Sequence, residues 1–419
     1  MEIELVTIGT ELLLGLTVDT NGAEIARMLA AQGVRVTRRV SVSDQADEIH
    51  EAVSQALQRT GAVLTTGGLG PTRDDITKKV VADLFHAPLE FDEGVWANLL
   101  ERFARLERTP AASNRSQAEV PRGATVLRNR WGTAPGLWLE GAPGLAIMLP
   151  GVPHEMRRLL ENEVVPRLAS RGSGQVIRSL VVRTSGIPES SLAERLGEVE
   201  QEIAPLTLAY LPGLEGVDLR LSAWSLASDE ADRLLRNAAD LLHGRARDWV
   251  YGEDESDLAA LVLDRSRSRG VRLAVAESCT GGLLGARLTE VPGSSEVFVG
   301  GVIAYDNAPK IELLGVPPAI LAEHGAVSEP VARAMAQGAA QRFDVGAALS
   351  VTGIAGPGGG SPSKPVGTVW FGCVFEGAVE TRRVLFAGTR QEIRARAAQA
   401  ALLLLYRRLA GTKSTPTHP

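Results

Sequence analysis

The chain has 419 residues, 44% of them apolar and 22% charged, the balance of a globular protein with several domains, each large enough to bury a core. A net charge of −6 argues against direct nucleic-acid binding, which needs a basic face, and six scattered histidines offer no zinc spacing. Two cysteines imply no disulfide framework and point to a reducing cytoplasm; the absence of a basic-then-apolar start, or of an apolar run near 18 residues, leaves no signal peptide or membrane span expected.

The opening segment alternates strands and helices. Glu4–Ile8 reads as a strand, and Asn21 reads as the cap of a helix with apolar positions at Ile25, Met28 and Leu29, stopped by Gly33. Val34–Val42 alternates as a strand does. Asp47–Arg59 carries apolar residues at the helical period, and Ala62–Thr66 is a short buried strand. This rhythm predicts an α/β domain over residues 1–168 with a mostly parallel sheet.

Residues 175–252 read strand, helix, strand, strand, helix, strand. That is the order of a small ferredoxin-like α+β domain, and no catalytic constellation stands out in it. After the acidic stretch Glu253–Asp257 the chain returns to an α/β pattern. Strands are expected at Val271–Ala276, Val297–Tyr305 and Val345–Thr352. Helices are expected at Leu283–Leu288, 329–342 and Arg390–Leu409, with a hairpin over 366–386. This third domain spans 255–411, and the polar tail 412–419 is expected to be disordered.

Two constellations carry chemistry. In the first, Thr65-Thr66-Gly67-Gly68-Leu69-Gly70-Pro71-Thr72-Arg73-Asp74-Asp75 follows a strand and opens a helix. Glycines there let backbone amides approach an anion. Carboxylates beside a phosphate make sense when a divalent cation bridges them, which marks Asp74 and Asp75 as candidate metal ligands; favouring the helix dipole is the alternative. Gly132-Thr133-Ala134-Pro135-Gly136 and Leu149-Pro150-Gly151-Val152-Pro153-His154-Glu155 lie at strand ends, where ligands of parallel sheets bind.

This loop, with the upstream Asp44, resembles the molybdopterin-binding fold of molybdenum-cofactor biosynthesis enzymes. With Ile8–Gly15, Asp19-Thr20-Asn21, Gly132–Gly136 and Leu149–Met156 it is similar, more closely, to the CinA family of competence/damage-inducible proteins. The resemblance implies a molybdopterin-binding-like sheet domain acting as a metal-dependent ADP-ribose pyrophosphatase, using Mg, Mn or Co. Asp75 and Asp44 would be its functional carboxylates. Asn21, Gly67, Gly68, Gly70, Thr72, Gly132, Thr133, Pro150 and Gly151 would bind substrate.

The second constellation is Ala276-Glu277-Ser278-Cys279-Thr280-Gly281-Gly282 with Tyr305-Asp306-Asn307-Ala308-Pro309-Lys310. Ser278 sits between a strand and a helix, so helix capping by Ser278 or Thr280 is one reading. Serine with a lysine base is the other. The amine would have to lose its proton near pH 7, which costs about 4 kcal/mol and is supplied by apolar surroundings. A glycine loop, Thr352-Gly353 through Gly356 to Gly360, offers amides for a phosphate or an oxyanion, and Arg390 offers a guanidinium for a phosphate. Tyr305 and Asn307 flank the lysine. Cys279 is the alternative nucleophile and lacks a partner histidine.

This part resembles the CinA C-terminal domain, expected to fold as α/β/α, through Ala276–Gly282, Gly293–Ser295, Tyr305–Lys310, His324–Pro330, Gly353–Gly360 and Lys364–Trp370. The resemblance implies a cofactor-free nicotinamide mononucleotide (NMN) deamidase. Ser278 would be its nucleophile and Lys310 the base, with Tyr305 in the catalytic group and Thr280, Gly281, Gly282, Asn307, Thr352, Gly353, Gly356 and Arg390 around the substrate. The small-molecule partners would be NMN and ADP-ribose, with no nucleic acid or membrane partner, in a cytoplasmic homodimer. The alternatives are a non-catalytic partner in competence or DNA damage, and a molybdopterin- or nucleotide-binding first domain.

Overall fold

The computed structural model describes residues 1–169 and 175–411, so the tail 412–419 lies outside the described residues. Its contacts define two compact units, residues 1–178 with 222–234, and residues 179–221 with 235 onward. Among the described residues seventeen strands fall into three main sheets and one short pair.

The first sheet uses β1 (Glu2–Ile8), β2 (Arg35–Val42) and β3 (Ala62–Thr66). After the short pair β4 (Leu89–Phe91) and β5 (Glu119–Pro121) it adds β6 (Thr125–Leu127), β7 (Gly136–Gly141) and β8 (Gly144–Leu149), in the order β2-β1-β3-β8-β7-β6. The run β2-β1-β3-β8 is parallel, and β7 and β6 each reverse direction. Alternation along the strands divides the side chains between two cores. Leu5, Leu64, Ile147 and Leu149 pack on the helices Thr20–Ala30 and Pro153–Leu159, while Val6, Val63, Ala146 and Met148 pack on Ala46–Thr60 and Thr77–Leu84. The buried Glu4 on β1 is matched by Arg59, whose Nε and Nη2 each donate to it at 2.7 Å.

Four further strands, β9 (Gln175–Thr184), β10 (Thr207–Pro212), β11 (Val217–Ala227) and β12 (Val250–Glu253), form a sheet in the order β10-β11-β9-β12. The first strand is central, as the split βαβ reading requires.

The last sheet is β14-β13-β15-β16-β17, from β13 (Leu273–Glu277), β14 (Phe298–Ile303), β15 (Ala347–Gly353), β16 (Thr368–Phe375) and β17 (Ala378–Leu385). β13 lies parallel to β14 and β15, and the β16–β17 hairpin joins antiparallel. One face, with Leu273, Val275, Leu349, Val351, Phe371 and Cys373, packs on helices Leu258–Ser268 and Arg390–Ala410. The other, with Ala276, Ala348 and Val374, packs on Glu329–Phe343. Thr389 and Glu392 form a capping box that starts the final helix. Mixed α/β architecture with three sheet-centred parts is therefore as the sequence indicates. Helices Glu93–Arg105 and Pro318–His324, and the β4–β5 pair, are additions the periodicity did not reveal.

Candidate active sites

In the last sheet, Ser278 follows the interior strand β13, where the chain leaves the sheet. Its amide donates to Val351 O at 2.9 Å, tying the turn to β15. Helix Asn307–Leu314 begins three residues before Lys310, so the lysine sits in the first turn and not on the surface. Lys310 is 1% exposed and Ser278 8%. Lys310 Nζ lies 3.2 Å from Ser278 Oγ, 2.7 Å from Ala304 O and 3.2 Å from Asp306 O.

Three partners match the three positions of an amine. A neutral lysine donates two N–H groups to the two carbonyls and turns its lone pair to the serine hydroxyl, which then donates to it. Burial lowers the Lys310 pKa from its ordinary value, and the Asp306 carboxylate offsets part of that fall. The apolar run before the lysine contributes less than expected, because β14 is an edge strand with Val299 and Ile303 exposed. Val302 and Ala304 supply the buried part, with Leu314 and Val316.

A cavity of about 250 Å³ opens on this pair. It is lined by the expected Ser278, Tyr305, Asn307, Lys310, Thr352, Gly353 and Arg390. Arg390 Nη1 donates to Gly356 O and Nη2 to the Tyr305 hydroxyl, each at 2.6 Å, which ties the glycine loop to the tyrosine. The expected Gly281, Gly282 and Gly356 are not among its lining residues. Thr280 departs from expectation: its side chain is fully buried, outside the cavity lining, and its hydroxyl has no partner. Its carbonyl accepts from Arg394 Nη2 at 2.7 Å, a contact that only the tertiary structure reveals.

Cys279 also lines the cavity, but burial pushes its thiol up to about 12, so it holds no thiolate near neutral pH. Iodoacetamide should therefore leave Cys279 unmodified in the folded protein near neutral pH; rapid alkylation at Cys279, read by mass spectrometry, would restore the cysteine as a candidate nucleophile.

In the first sheet, the carboxyl ends of β2, β1, β3 and β8 lie side by side. They carry Asp44, Thr10, the Gly67–Asp75 loop and Pro150-Gly151. The Gly132–Gly136 loop reaches the same end by a different route than its sequence position suggests. It precedes β7, which runs antiparallel to β8, so the start of β7 meets the end of β8. Gly67 has φ +111, and a Cβ there would meet Ile8 O at 2.2 Å, so the close approach of β3 to β1 requires glycine.

Asn21 is not the helix cap. Asp19 caps, accepting from Gly22 N at 2.8 Å, and Asn21 Nδ2 instead donates to Gly151 O at 2.7 Å and Thr66 Oγ1 at 3.3 Å. Its Oδ1 is buried without a partner. Asp44 Oδ2 accepts from Thr10 N and Oγ1 at 2.8 and 2.9 Å. Asp75 Oδ2 accepts from Thr72 N at 2.8 Å and from the Thr72 hydroxyl. A Cβ at Gly70 would crowd that carboxylate at 2.5 Å. Gly68 packs against Thr77, and Thr133 Oγ1 accepts from Gln117 at 3.2 Å.

Lys78 escaped the sequence reading, and Glu155 entered it only as the end of a candidate loop. Lys78, directly after the loop, donates to Ser116 O at 2.6 Å, and burial lowers its pKa to about 8. Glu155 accepts from Asn129 at 2.6 Å, and burial raises its pKa. Its carboxylate lies over Gly132, so a side chain there would have to displace it.

Among the described residues no three or more His, Cys, Asp or Glu cluster as metal ligands. The Oδ1 atoms of Asp44 and Asp75 accept no protein hydrogen bond among the described residues. Carboxylate oxygens of this kind suit a hard cation that takes its other oxygens from water and substrate phosphates, as magnesium does. A larger hollow of about 510 Å³, at the opposite end of the sheet by Met1, Gly61 and Gly144, holds none of the candidate residues. No helix among the described residues is long and apolar enough to cross a membrane.

Family models match in three places: a probable molybdopterin binding domain over residues 4–170, a damage-inducible protein CinA KH domain over 179–252, and a CinA C-terminal domain over 255–409. A CinA-like protein of Gemmatimonas aurantiaca is 54% identical over 414 residues, 98% of this chain and 97% of the relative. A putative competence-damage inducible protein of Moorella thermoacetica is 41% identical over 410 residues, 98% of this chain and 99% of the relative. The crystal structure of the competence damage-inducible protein A of Klebsiella pneumoniae is 39% identical, covers 36% of this chain and 95% of its own, with a TM-score of 0.36. With matching models from end to end and relatives covered over nearly their full length, this chain belongs to the CinA family.

Proposed function

We propose that the Ser278/Lys310 site hydrolyses the carboxamide of NMN to nicotinate mononucleotide and ammonia. The observation that carries this reading is the buried amine held between Ser278 Oγ and two carbonyls. Neutral Lys310 takes the Ser278 proton as Oγ bonds to the carboxamide carbon and the carbonyl electron pair moves to oxygen. When the pair returns, the C–N bond breaks and the lysine gives its proton to the departing nitrogen. Water then attacks the ester and passes a proton to Lys310. The C–Oγ bond breaks, and serine recovers that proton. The test is ammonia release from NMN by the wild-type protein across pH, with Ser278→Ala as its control.

Arg390 has guanidinium N–H groups beyond the two bound to Gly356 O and Tyr305, which suit it to a substrate phosphate. Arg390→Ala should raise KM for NMN about tenfold or more, the worth of a charge-assisted hydrogen bond, while sparing nicotinamide riboside, which lacks the phosphate. An equal effect on both substrates would place Arg390 in loop support alone.

For the first sheet we infer an ADP-ribose pyrophosphatase that splits the P–O–P bridge with water to give AMP and ribose 5-phosphate. Asp74 and Asp75 would hold a divalent cation, with Asp44 the further functional carboxylate. When bound, the cation would neutralise charge on the phosphates. The Gly67–Gly70 backbone would approach the pyrophosphate, and Lys78 would add positive charge beside it.

The relatives' names and the KH description favour a second reading, a non-catalytic role at single-stranded nucleic acid. KH domains clamp a nucleic-acid backbone with a GXXG loop. Here Gly213-Leu214-Glu215-Gly216 has that spacing, yet it closes the β10–β11 hairpin, with Gly213 N bonded to Gly216 O at 2.8 Å. Its Glu215 pairs with Arg287 at 2.9 Å. Absence of hydrolysis of both nucleotides, together with saturable oligonucleotide binding by fluorescence anisotropy, would favour this second reading.

A further inference from the structure

The turn carrying Ser278 leaves two amides without a backbone acceptor, and a buried carboxylate takes three of those that follow. From Ser278 to Ala286, the amide of Ser278 donates to Val351 O at 2.9 Å, that of Gly281 to Ser278 O at 3.1 Å, that of Leu283 to Thr280 O at 3.3 Å, and that of Ala286 to Gly282 O at 2.8 Å. Gly282 N and Leu284 N each donate to Glu277 Oε2 at 3.0 Å, and Gly285 N to Oε1 at 2.8 Å. Only Cys279 and Thr280 remain. Among the described residues neither amide has a backbone acceptor, although the two residues are 6% and 0% exposed; the Cys279 amide meets only its own thiol.

Buried amides without partners are rare in folded proteins. These two directly follow the candidate nucleophile, and of the two only Cys279 lines its cavity; Thr280 is fully buried outside it. Glu277 is 1% exposed and has no ion pair among the described residues; its oxygens receive backbone amides. The short helix after the turn is not itself an anion site, because Glu277 occupies its first amides.

We propose that the N–H group of Cys279 is an oxyanion donor of the deamidation, and that Glu277 is the positioning residue that holds the turn presenting it. This rests on the Ser278/Lys310 reading. As Oγ bonds to the carboxamide carbon, the carbonyl oxygen takes the electron pair and the Cys279 N–H receives its charge. When the pair returns to the carbonyl, the C–N bond breaks and ammonia leaves with the Lys310 proton. Without the Glu277 carboxylate, the amides of Gly282, Leu284 and Gly285 lose their acceptor, and the turn relaxes to satisfy them with its own carbonyls.

The test compares NMN with its thioamide analogue, each normalised to its hydroxide-catalysed hydrolysis, since sulfur accepts hydrogen bonds poorly. The wild-type protein should prefer the carboxamide by about 100-fold in kcat/KM, the scale of a lost oxyanion donor. Glu277→Gln should lower kcat on NMN by about 10- to 100-fold with KM within about threefold, and should shrink the preference for oxygen; Glu277→Asp should recover part of both. A wild-type preference near unity overturns the proposal without any variant, so it is decided even if Glu277→Gln does not fold. A folded Glu277→Gln with wild-type kcat also overturns it. Undiminished ammonia release by Ser278→Ala would instead sink the underlying serine mechanism. A dead Ser278→Ala with no oxygen preference in the wild type sinks the oxyanion assignment alone.

Discussion

Ser278→Ala and Lys310→Ala should each lower kcat for NMN deamidation by about 10⁴-fold or more, and the double variant should cost little beyond either alone, because a nucleophile and its base act as one unit. Lys310 supplies the sharper signature. Its amine acts as a base only when neutral, and burial holds its pKa below the ordinary 10.5. Protonation disables it, so kcat/KM should rise with pH through the pKa of the buried lysine and level off below pH 10.5. Asp306→Asn removes a carboxylate that raises this pKa, so the rise should move to lower pH. An Asp306→Asn profile that stays in place, or moves up, would assign the titration to another group. Lys310→Arg keeps the charge but offers no base near neutral pH, and should remain inactive.

The second large effect concerns the other sheet. Asp75→Asn and Asp44→Asn should each reduce ADP-ribose cleavage by about 100-fold or more, the scale of a lost electrostatic group at a centre of developing charge. EDTA should abolish ADP-ribose cleavage and leave ammonia release from NMN intact, because the Ser278/Lys310 chemistry involves no metal ligand. Loss of both activities on chelation would reject this division of labour. Cleavage that survives both substitutions would leave Asp44 and Asp75 as braces, bonded to Thr10 and Thr72 and nothing more.

Local chemistry was legible where it is carried by neighbours in the chain. The glycine loop with its aspartates follows a strand and opens a helix, and such a junction has the same form in any parallel sheet. The Ser278 and Lys310 motifs were legible for the same reason, each at the junction of a strand with a helix. Direction and side-chain reach were not. The Gly132 loop had to be placed by the antiparallel course of β7. Asn21 looked like a helix cap because caps are chosen among Asp, Asn, Ser and Thr, and Asp19 took that place two residues earlier. Thr280 looked like a ligand residue because it neighbours Ser278, yet the turn folds its side chain inward.

Composition, periodicity and motif spacing were enough to specify an α/β chain of three parts and its two candidate sites, because those properties depend on residues close in sequence. Glu277 was beyond them. A glutamate before a serine is unremarkable until the turn brings three amides to its carboxylate. Lys310 was likewise a charged residue of unknown exposure until helix Asn307–Leu314 buried it against Ala304 and Ser278. Packing across strands decides which polar groups lose water, and that loss turns an ordinary lysine into a candidate base.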